Sequence, residues 1–293
     1  MALTLSGNTA TVGGGIYNGG TLTVTGVTFA GNTAKNGGGI ENDSNATLKV
    51  ARDIFSRNTA EFGGGLENDN IATVTETTFC QNSAASGGGG IYAAYDTTVT
   101  GGSFTGNTAG SGGGAIANFS IDGSSVTVTH VSFTGNSAPL GGAINNYDGL
   151  TVICSSFTGN TATNGGSIYN NWVATITRSI FQQNKAAANG GSIENTNIND
   201  TGTASLSVTN SQFFRNTAGA NGGGIDNQND LSYPTTLNTT LTLTGSALHR
   251  NSAGDDGGGI YNGNSTITLS DSTVTNNQPD NCGPVGSVTS CTD

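Results

Sequence analysis

The 293-residue chain has few charged side chains and very few basic ones. Charged residues make up 9% of it, and its 8 Lys and Arg are outnumbered by 19 Asp and Glu, for a formal net charge of −11. Binding to nucleic acid requires clustered cations that neutralise phosphates, so this balance excludes nucleic acid as an expected partner. It equally disfavours adsorption to an anionic membrane surface.

Long apolar runs and histidine are scarce as well. No stretch of about 18 apolar residues occurs, so the sequence predicts no membrane-spanning helix. The N-terminus lacks the features of a signal peptide and enters a repeat from Leu3, so we expect an excised segment or a mature form without its targeting region. The two histidines, His130 and His249, lie in distant repeats, which disfavours a metal centre or catalytic triad built on them.

Glycine is abundant instead, with 48 residues, and much of it belongs to a repeated tag, Gly-Gly-x-(Ile/Leu). Tag spacing runs from 24 residues (Ile16 to Ile40) to 35 residues (Ile225 to Ile260). A second tag, Phe-x-x-Asn, follows the same rhythm. A fixed period in this range predicts a stack of equal units, each too small to bury a core alone. The first tag ends at Ile16, Ile40, Leu66, Ile91, Ile116, Ile144, Ile168, Ile193, Ile225 and Ile260, and the second begins at Phe29, Phe55, Phe79, Phe104, Phe133, Phe157, Phe181 and Phe213.

Apolar and hydroxyl residues alternate between the tags, as in the segment 21–25, Thr-Leu-Thr-Val-Thr. This period of two predicts strands. We therefore predict an all-β fold, a single-stranded right-handed parallel β-helix (β-solenoid) of about 10–11 coils, with the hand taken from the strong bias of parallel connections. Residues 1–277 form the repeats, and residues 278–293 form a C-terminal cap or tail.

Three columns of this stack are predicted to face inward: the Phe residues, the tag Ile residues and an aliphatic residue five positions before each Phe. Two Asn columns are predicted to stack at turns, where the amide can bond both its own turn and the next coil. Ala93 interrupts the second Asn column. The aliphatic column is Val24, Val50, Val74, Val99, Val128, Val152, Ile176, Val208, Leu243 and Leu269.

The tags resemble the paired repeat of the chlamydial polymorphic outer-membrane proteins, which also marks a wider set of bacterial right-handed β-helix surface proteins. The motifs that carry this resemblance are Gly113-Gly114-Ala115-Ile116, Gly141-Gly142-Ala143-Ile144, Phe104-Thr105-Gly106-Asn107 and Phe133-Thr134-Gly135-Asn136. The resemblance covers residues 3–277 and implies a secreted or cell-surface module that acts as an adhesin. It implies architecture more specifically than activity.

Cysteines and acidic residues supply the candidate special sites. A Cys282–Cys291 disulfide is predicted to close a C-terminal loop, whereas Cys80 and Cys154 lie about three coils, or roughly 14 Å, apart and are predicted not to bond. Glu41 and Glu67 are predicted at the same outward position in neighbouring coils, with Asp43 and Asp69 two residues later. Either a Ca²⁺ ion bridges these four carboxylates or they form a solvated surface. A second acidic patch is predicted from Asp226, Asp230, Asp255 and Asp256.

Threonine dominates the outward face of the main strand. Two columns, six and four residues before each Phe, are predicted to form a Thr-x-Thr array with rows about 4.8 Å apart. The array resembles the ice-binding face of Thr-x-Thr β-solenoid antifreeze proteins, although Thr is also a favoured outward residue on any β face. Lys49, Ala51 and Ile153 interrupt it. The predicted ligand or ice face comprises Thr23, Thr25, Thr73, Thr75, Thr98, Thr100, Thr127, Thr129, Thr175, Thr177, Thr242 and Thr244.

Three functions remain open on the sequence. The first is a non-enzymatic adhesion, recognition or display module that binds a surface ligand or glycan, with insertions at 196–203, 228–238 and 119–124 marking one edge. The second is ice binding. The third is a polysaccharide lyase or hydrolase. These enzymes share the coil architecture, but this sequence lacks the clustered Lys and Arg that a lyase needs. No cofactor other than Ca²⁺ is predicted, and an uncapped N-terminal coil favours end-to-end self-association.

Overall fold

The computed structural model describes residues 3–119, 123–197, 203–229, 239–288 and 291. Its strands stack in parallel as a β-solenoid of about 11 turns, which confirms the predicted all-β fold class. Each coil contributes one strand or strand pair to a broad sheet, a short bridging segment, and one strand that begins at the tag Ile. One sequence repeat therefore corresponds to one coil of the solenoid.

The broad sheet contains 19 strands among the described residues. In most coils it has two limbs that meet at a residue with positive φ, such as Gly26 or Arg52. Its strands are Leu3–Ser6, Thr21–Thr25, Val27–Ala30, Thr47–Ala51, Ile54–Ser56, Ile71–Cys80, Thr97–Thr105, Ser125–Thr129, Ser132–Thr134, Gly149–Ile153, Ser156–Thr158, Val173–Thr177, Ile180–Gln182, Ser205–Thr209, Gln212–Phe214, Thr240–Thr244, Ala247–His249, Thr266–Ser270 and Thr273–Thr275.

A second sheet of 11 described strands, here called the tag sheet, runs along the other side of the core. Its strands are Ile16–Asn18, Ile40–Asn42, Leu66–Asn68, Ile91–Ala93, Ile116–Asn118, Ile144–Asn146, Ile168–Asn170, Ile193–Asn197, Ile225–Asn229, Ile260–Gly263 and Cys282–Gly283. The bridging segments form two small sheets, Thr59–Phe62 with Ser83–Gly87 and Thr108–Ala109, and Thr161–Ala162 with Lys185–Ala186 and Thr217–Ala218.

Phenylalanine forms a continuous stack inside the solenoid. Phe29 lies 4.6 Å from Phe55 between ring centroids, and the stack continues at similar spacing to Phe213. The eight rings from Phe29 to Phe213 are fully buried. Burial of one such side chain stabilises the fold by roughly 1.5–3 kcal/mol. The predicted aliphatic and tag columns pair residue by residue in the same register, as in Val24 with Val50 and Ile40 with Leu66.

The two tag glycines meet different requirements. Gly113 has a φ of 64°, and a Cβ there would lie 2.1 Å from the Ile116 carbonyl oxygen. At Gly114 a Cβ would lie 2.4 Å from the carbonyl oxygen of Gly142 in the next coil. The first glycine therefore supplies a left-handed turn, and the second allows two coils to approach at their backbones.

The first Asn column is a hydrogen-bonded ladder that ties three coils together at each step. Asn107 Nδ2 donates to Asn136 Oδ1 at 3.0 Å and to the Phe79 carbonyl oxygen at 3.0 Å. Asn107 Oδ1 accepts from both the backbone and the side-chain nitrogen of Asn82. Because these side chains are buried, each lost partner would leave a polar atom without water.

The C-terminal segment extends the stack by one strand. Cys282 pairs with Ile260 in the tag sheet and is joined to Cys291 by a disulfide, with Cα atoms 6.1 Å apart. Val288 is buried against the same core cluster. Cys80 and Cys154 are unbonded and partly exposed.

Candidate functional site

The outward residues of the tag sheet form a column, here called the corner row, that lies where the bridging segment folds back over the sheet. Asn36 in one bridging segment donates through Nδ2 to Glu67 Oε1 at 3.0 Å. Further along, a Cβ at Gly112 would lie 2.0 Å from Asn145 Nδ2. The corner row is therefore partly closed over by the chain. It consists of Tyr17, Glu41, Glu67, Tyr92, Ala117, Asn145, Tyr169, Glu194, Asp226 and Tyr261.

Glu41 and Glu67 stack in register in neighbouring coils, and each is only 4% exposed. They occupy the predicted outward strand position, but the alternative that they form a solvated surface is wrong. Strand alternation does point them away from the Phe core, but the bridging segment covers them. Burial raises the pKa of Glu41 to about 7, and burial together with the Glu41 charge raises the pKa of Glu67 to about 9. Near neutral pH such a pair holds about one proton unless a cation replaces it.

The structure brings three of the four predicted metal ligands together. One carboxylate oxygen each from Glu41, Glu67 and Asp69 lie within 4.8 Å of one another. Asp43 makes other contacts, since it accepts hydrogen bonds from the Tyr17 hydroxyl and from the Ser44 backbone N–H. These bonds hold the pKa of Asp43 below its usual value, whereas burial raises the pKa of Asp69.

The second predicted acidic patch is exposed at the surface only in part. Asp226 is fully buried beside Glu194, its partner in the corner row, and burial raises its pKa well above the usual value. Asp255 is exposed, and Asp256 caps the backbone N–H of Gly257. Asp230 lies outside the described residues. The error again comes from equating outward strand positions with exposure.

Five aromatic side chains form a contiguous row at the same corner, here called the aromatic row: Phe62, Tyr92, Phe119, Tyr147 and Tyr169. Successive ring centroids lie 5.1, 6.1, 4.5 and 6.3 Å apart. Four of the five are partly exposed, and Tyr169 is buried. This row was not predicted from the sequence, although its spacing shows a pattern. Phe119 and Tyr147 each lie three positions after a tag Ile. Tyr92 and Tyr169 each lie directly after one.

The Thr array lies on the outer face of the broad sheet. Thr98 pairs with Thr127 and Thr100 with Thr129, and both columns continue in register. Lys49, Ala51 and Ile153 occupy the array positions where the sequence predicted interruptions. The twelve predicted residues lie on one face and are partly or fully exposed: Thr23, Thr25, Thr73, Thr75, Thr98, Thr100, Thr127, Thr129, Thr175, Thr177, Thr242 and Thr244.

A serine ladder, also missed from the sequence, fixes the bend between the two limbs of the broad sheet. Ser179 Oγ accepts from the backbone N–H of Ser155 at 3.2 Å, and Ser211 Oγ accepts from that of Ser179 at 3.0 Å. In an earlier coil Asp53 fills the same role, accepting from the backbone N–H of Val27 at 2.6 Å. The ladder satisfies buried backbone donors, so its role is structural.

The insertions proposed as a binding edge fall largely outside the described residues, at 120–122, 198–202 and 230–238. Phe119, the first residue of the predicted insertion at 119–124, is described and belongs to the aromatic row. The described ranges contain no apolar helix of membrane-spanning length.

Comparison with known proteins gives one family match. A model of the Chlamydia polymorphic membrane protein repeat matches residues 76–94 and 130–147. Neither curated proteins nor solved structures gave a match. The matched segments each contain a tag and its strand, Ile91–Ala93 and Ile144–Asn146. Two segments of this parallel β-solenoid thus match the repeat of the Chlamydia polymorphic membrane proteins, as the tags within them predict.

Proposed function

We propose that this protein is a non-enzymatic recognition module, secreted or displayed at a cell surface, that binds a surface glycan through the aromatic row. The family match supports a surface location, because the matched repeat is that of a membrane protein. The observation that carries the proposal is the row itself. In a chain with only 6% aromatic residues, five rings lie in continuous contact along one edge.

The chemistry of the row suits a sugar chain. Because neighbouring rings of the row stack on one another, the row offers apolar ring edges to the C–H groups of a pyranose, and its Tyr hydroxyls add hydrogen bonds. Partly exposed aromatic residues on a rigid support lose little conformational entropy on binding. The β-solenoid supplies that support, because Phe119 and Tyr147 are each anchored beside a tag strand whose Ile is fully buried.

A binding experiment tests the proposal. The purified chain is applied to an immobilised glycan array and to glycosylated epithelial cells, alongside Phe119→Ser/Tyr147→Ser and a matched Thr98→Ser/Thr100→Ser variant on the broad sheet. We expect binding that is lost in the aromatic variant and retained in the Thr variant. No binding by the parent chain, or equal binding by all three, would refute the proposal.

The non-enzymatic part has its own test. The chain is incubated with acidic and neutral polysaccharides, and newly formed reducing ends are measured over time. We expect none. Release of sugar that stops in Glu67→Gln would show instead that the buried carboxylates act as a two-carboxylate hydrolase.

Ice binding is the second candidate, favoured by the in-register hydroxyl rows of the Thr array. Rows about 4.8 Å apart along the rod and about 6.7 Å apart across it form a regular surface, uncharged apart from Lys49. Inhibition of ice recrystallisation that is lost in Thr127→Tyr, but kept in Phe119→Ser/Tyr147→Ser, would select this function over glycan recognition. No inhibition by the parent chain would remove it.

A further inference from the structure

We propose that Glu41, Glu67 and Asp69 form a site for one Ca²⁺ ion at the covered corner between the tag sheet and the bridging segment. The residues come from two neighbouring coils, Ile40–Asn42 and Leu66–Asn68 with the residue that follows it. Such an ion would join the two coils at the corner row. The proposal does not depend on glycan binding, although Tyr92 of the aromatic row lies next to Glu67 in the corner row.

Two buried oxygen atoms in this cluster have no hydrogen-bond partner. Asn36 satisfies Glu67 Oε1, whereas Glu67 Oε2 and Glu41 Oε2 are enclosed and accept from no N–H or hydroxyl group. The two carboxyls lie close enough to hydrogen-bond each other, but only when one of them holds a proton. A buried carboxylate oxygen without a partner is strongly destabilising unless a proton or a cation compensates it. Since both side chains are 4% exposed, bulk water does not supply that compensation.

The covered corner suits calcium better than magnesium. The three ligand oxygens lie within 4.8 Å of one another. Ca²⁺ binds oxygen at about 2.3–2.6 Å, so one ion can contact two oxygens roughly 4.6–5.2 Å apart. Mg²⁺ demands a near-ideal octahedron and gives up its water reluctantly, so a covered corner favours Ca²⁺. Partly exposed Asp69 leaves an open side where water can complete the six to eight ligands of Ca²⁺.

The second carboxylate pair of the corner row provides an internal comparison. Glu194 and Asp226 stack as Glu41 and Glu67 do, and tyrosines flank both pairs in the same column. The position of Asp69, however, is taken in those coils by Thr196 and Gln228. With two carboxylates instead of three, this second pair is not proposed as a Ca²⁺ site.

Calorimetry on the chelator-treated full chain tests the site, with CaCl2 as titrant at pH 7.5 and MgCl2 in a parallel run. We expect one Ca²⁺ bound with a Kd of about 10⁻³ M or tighter, weaker Mg²⁺ binding, and a higher melting temperature with Ca²⁺. Tb³⁺ should show emission sensitised by Tyr92, the next residue in the corner row after Glu67.

Three variants separate metal binding from a proton shared between the glutamates. Asp69→Asn and Glu67→Gln should each weaken Ca²⁺ by roughly 10-fold or more, and Glu67→Gln keeps an acceptor for Asn36. Asp226→Asn should leave Ca²⁺ affinity unchanged. If Glu67→Gln does not fold, Asp69→Asn decides, since that side chain is partly exposed. No Ca²⁺ or Tb³⁺ binding, or binding unaltered by Asp69→Asn, would overturn the site and leave a proton-bridged glutamate pair.

Discussion

Thr97 Oγ1 accepts the hydrogen bond that Asn68 Nδ2 donates, at 3.0 Å, in the coil where Ala93 interrupts the second Asn ladder. Elsewhere in this ladder the acceptor is the next Asn, as when Asn118 Nδ2 donates to Asn146 Oδ1 at 2.7 Å. Thr97 lies in an inward column that holds Ala72 and Val126 in the adjacent coils. A hydroxyl placed in an apolar column thus substitutes for a missing amide. The repair is incomplete, because Asn118 Oδ1 is buried without a partner.

Restoring the ladder should therefore stabilise the protein. In Ala93→Asn/Thr97→Val the new amide would accept from Asn68 and donate to Asn118, while Val fills the apolar column. We expect the double variant to gain about 1–2 kcal/mol in free energy of unfolding over the sum of the two single variants. Urea denaturation of all four proteins measures this coupling. Strictly additive effects would show that Thr97 and Ala93 are unrelated.

Removing a ladder residue should be costly. Asn107→Ala leaves the Phe79 carbonyl oxygen and the Asn82 nitrogens without their partner in a buried turn. We expect a loss of about 3 kcal/mol or more in free energy of unfolding, since each unsatisfied buried group costs about 1–3 kcal/mol. Asn45→Ala, at an exposed turn, is the control and should change stability little. Equal urea midpoints for both variants would contradict the ladder.

The Phe stack predicts a graded response to truncation. Phe133→Ala opens a cavity between Phe104 and Phe157, and we expect a loss of about 3–5 kcal/mol. Phe133→Leu should cost clearly less, because Leu248 occupies the same column fully buried at a later coil. Thermal melts followed by circular dichroism rank the variants by melting temperature. The matched variant Phe214→Ala removes a ring that is only partly buried, and it should be the mildest of the three.

Burial of Asp226 predicts an unusual pH dependence of the free energy of unfolding. Its pKa is raised in the folded state by burial, so the folded protein keeps a proton that the unfolded chain releases above about pH 4. The stability that the Asp226 carboxyl group contributes is fully present below about pH 4. It is lost as the pH rises towards the pKa of Asp226 in the folded protein. Asp226→Asn should therefore raise the urea midpoint at pH 7 and flatten its dependence on pH.

The groups that face Asp226 in the corner row are Glu194 and Tyr261, and both remain in this variant. Asp255→Asn, at an exposed position, is the matched control and should leave the pH profile unchanged. An unchanged profile in Asp226→Asn as well would mean that Asp226 is not buried as a proton-bearing acid.

Much of the architecture could be predicted from the sequence, because a period near 25 residues and a strand period of two together fix which side chains stack. The Val24, Phe29 and Ile40 columns and both Asn ladders follow from that counting. The exposure of the outward side chains could not be predicted from the sequence, because it depends on how the bridging segment folds across the corner row. Glu41, Glu67 and Asp226 were therefore predicted at the surface but are buried. The aromatic row was missed because Phe62 and Tyr92 belong to different segments that meet only after folding.

The central claim is that neighbouring coils lie in register, so that like side chains stack on like. Crystallographic determination of side-chain positions from Phe29 to Phe213 tests it most directly. The account predicts one unbroken ring stack with centroids 4.6–5.1 Å apart and an Asn ladder beside it. Rings scattered through the interior, or an Asn column facing solvent, would contradict the register and every surface assigned from it.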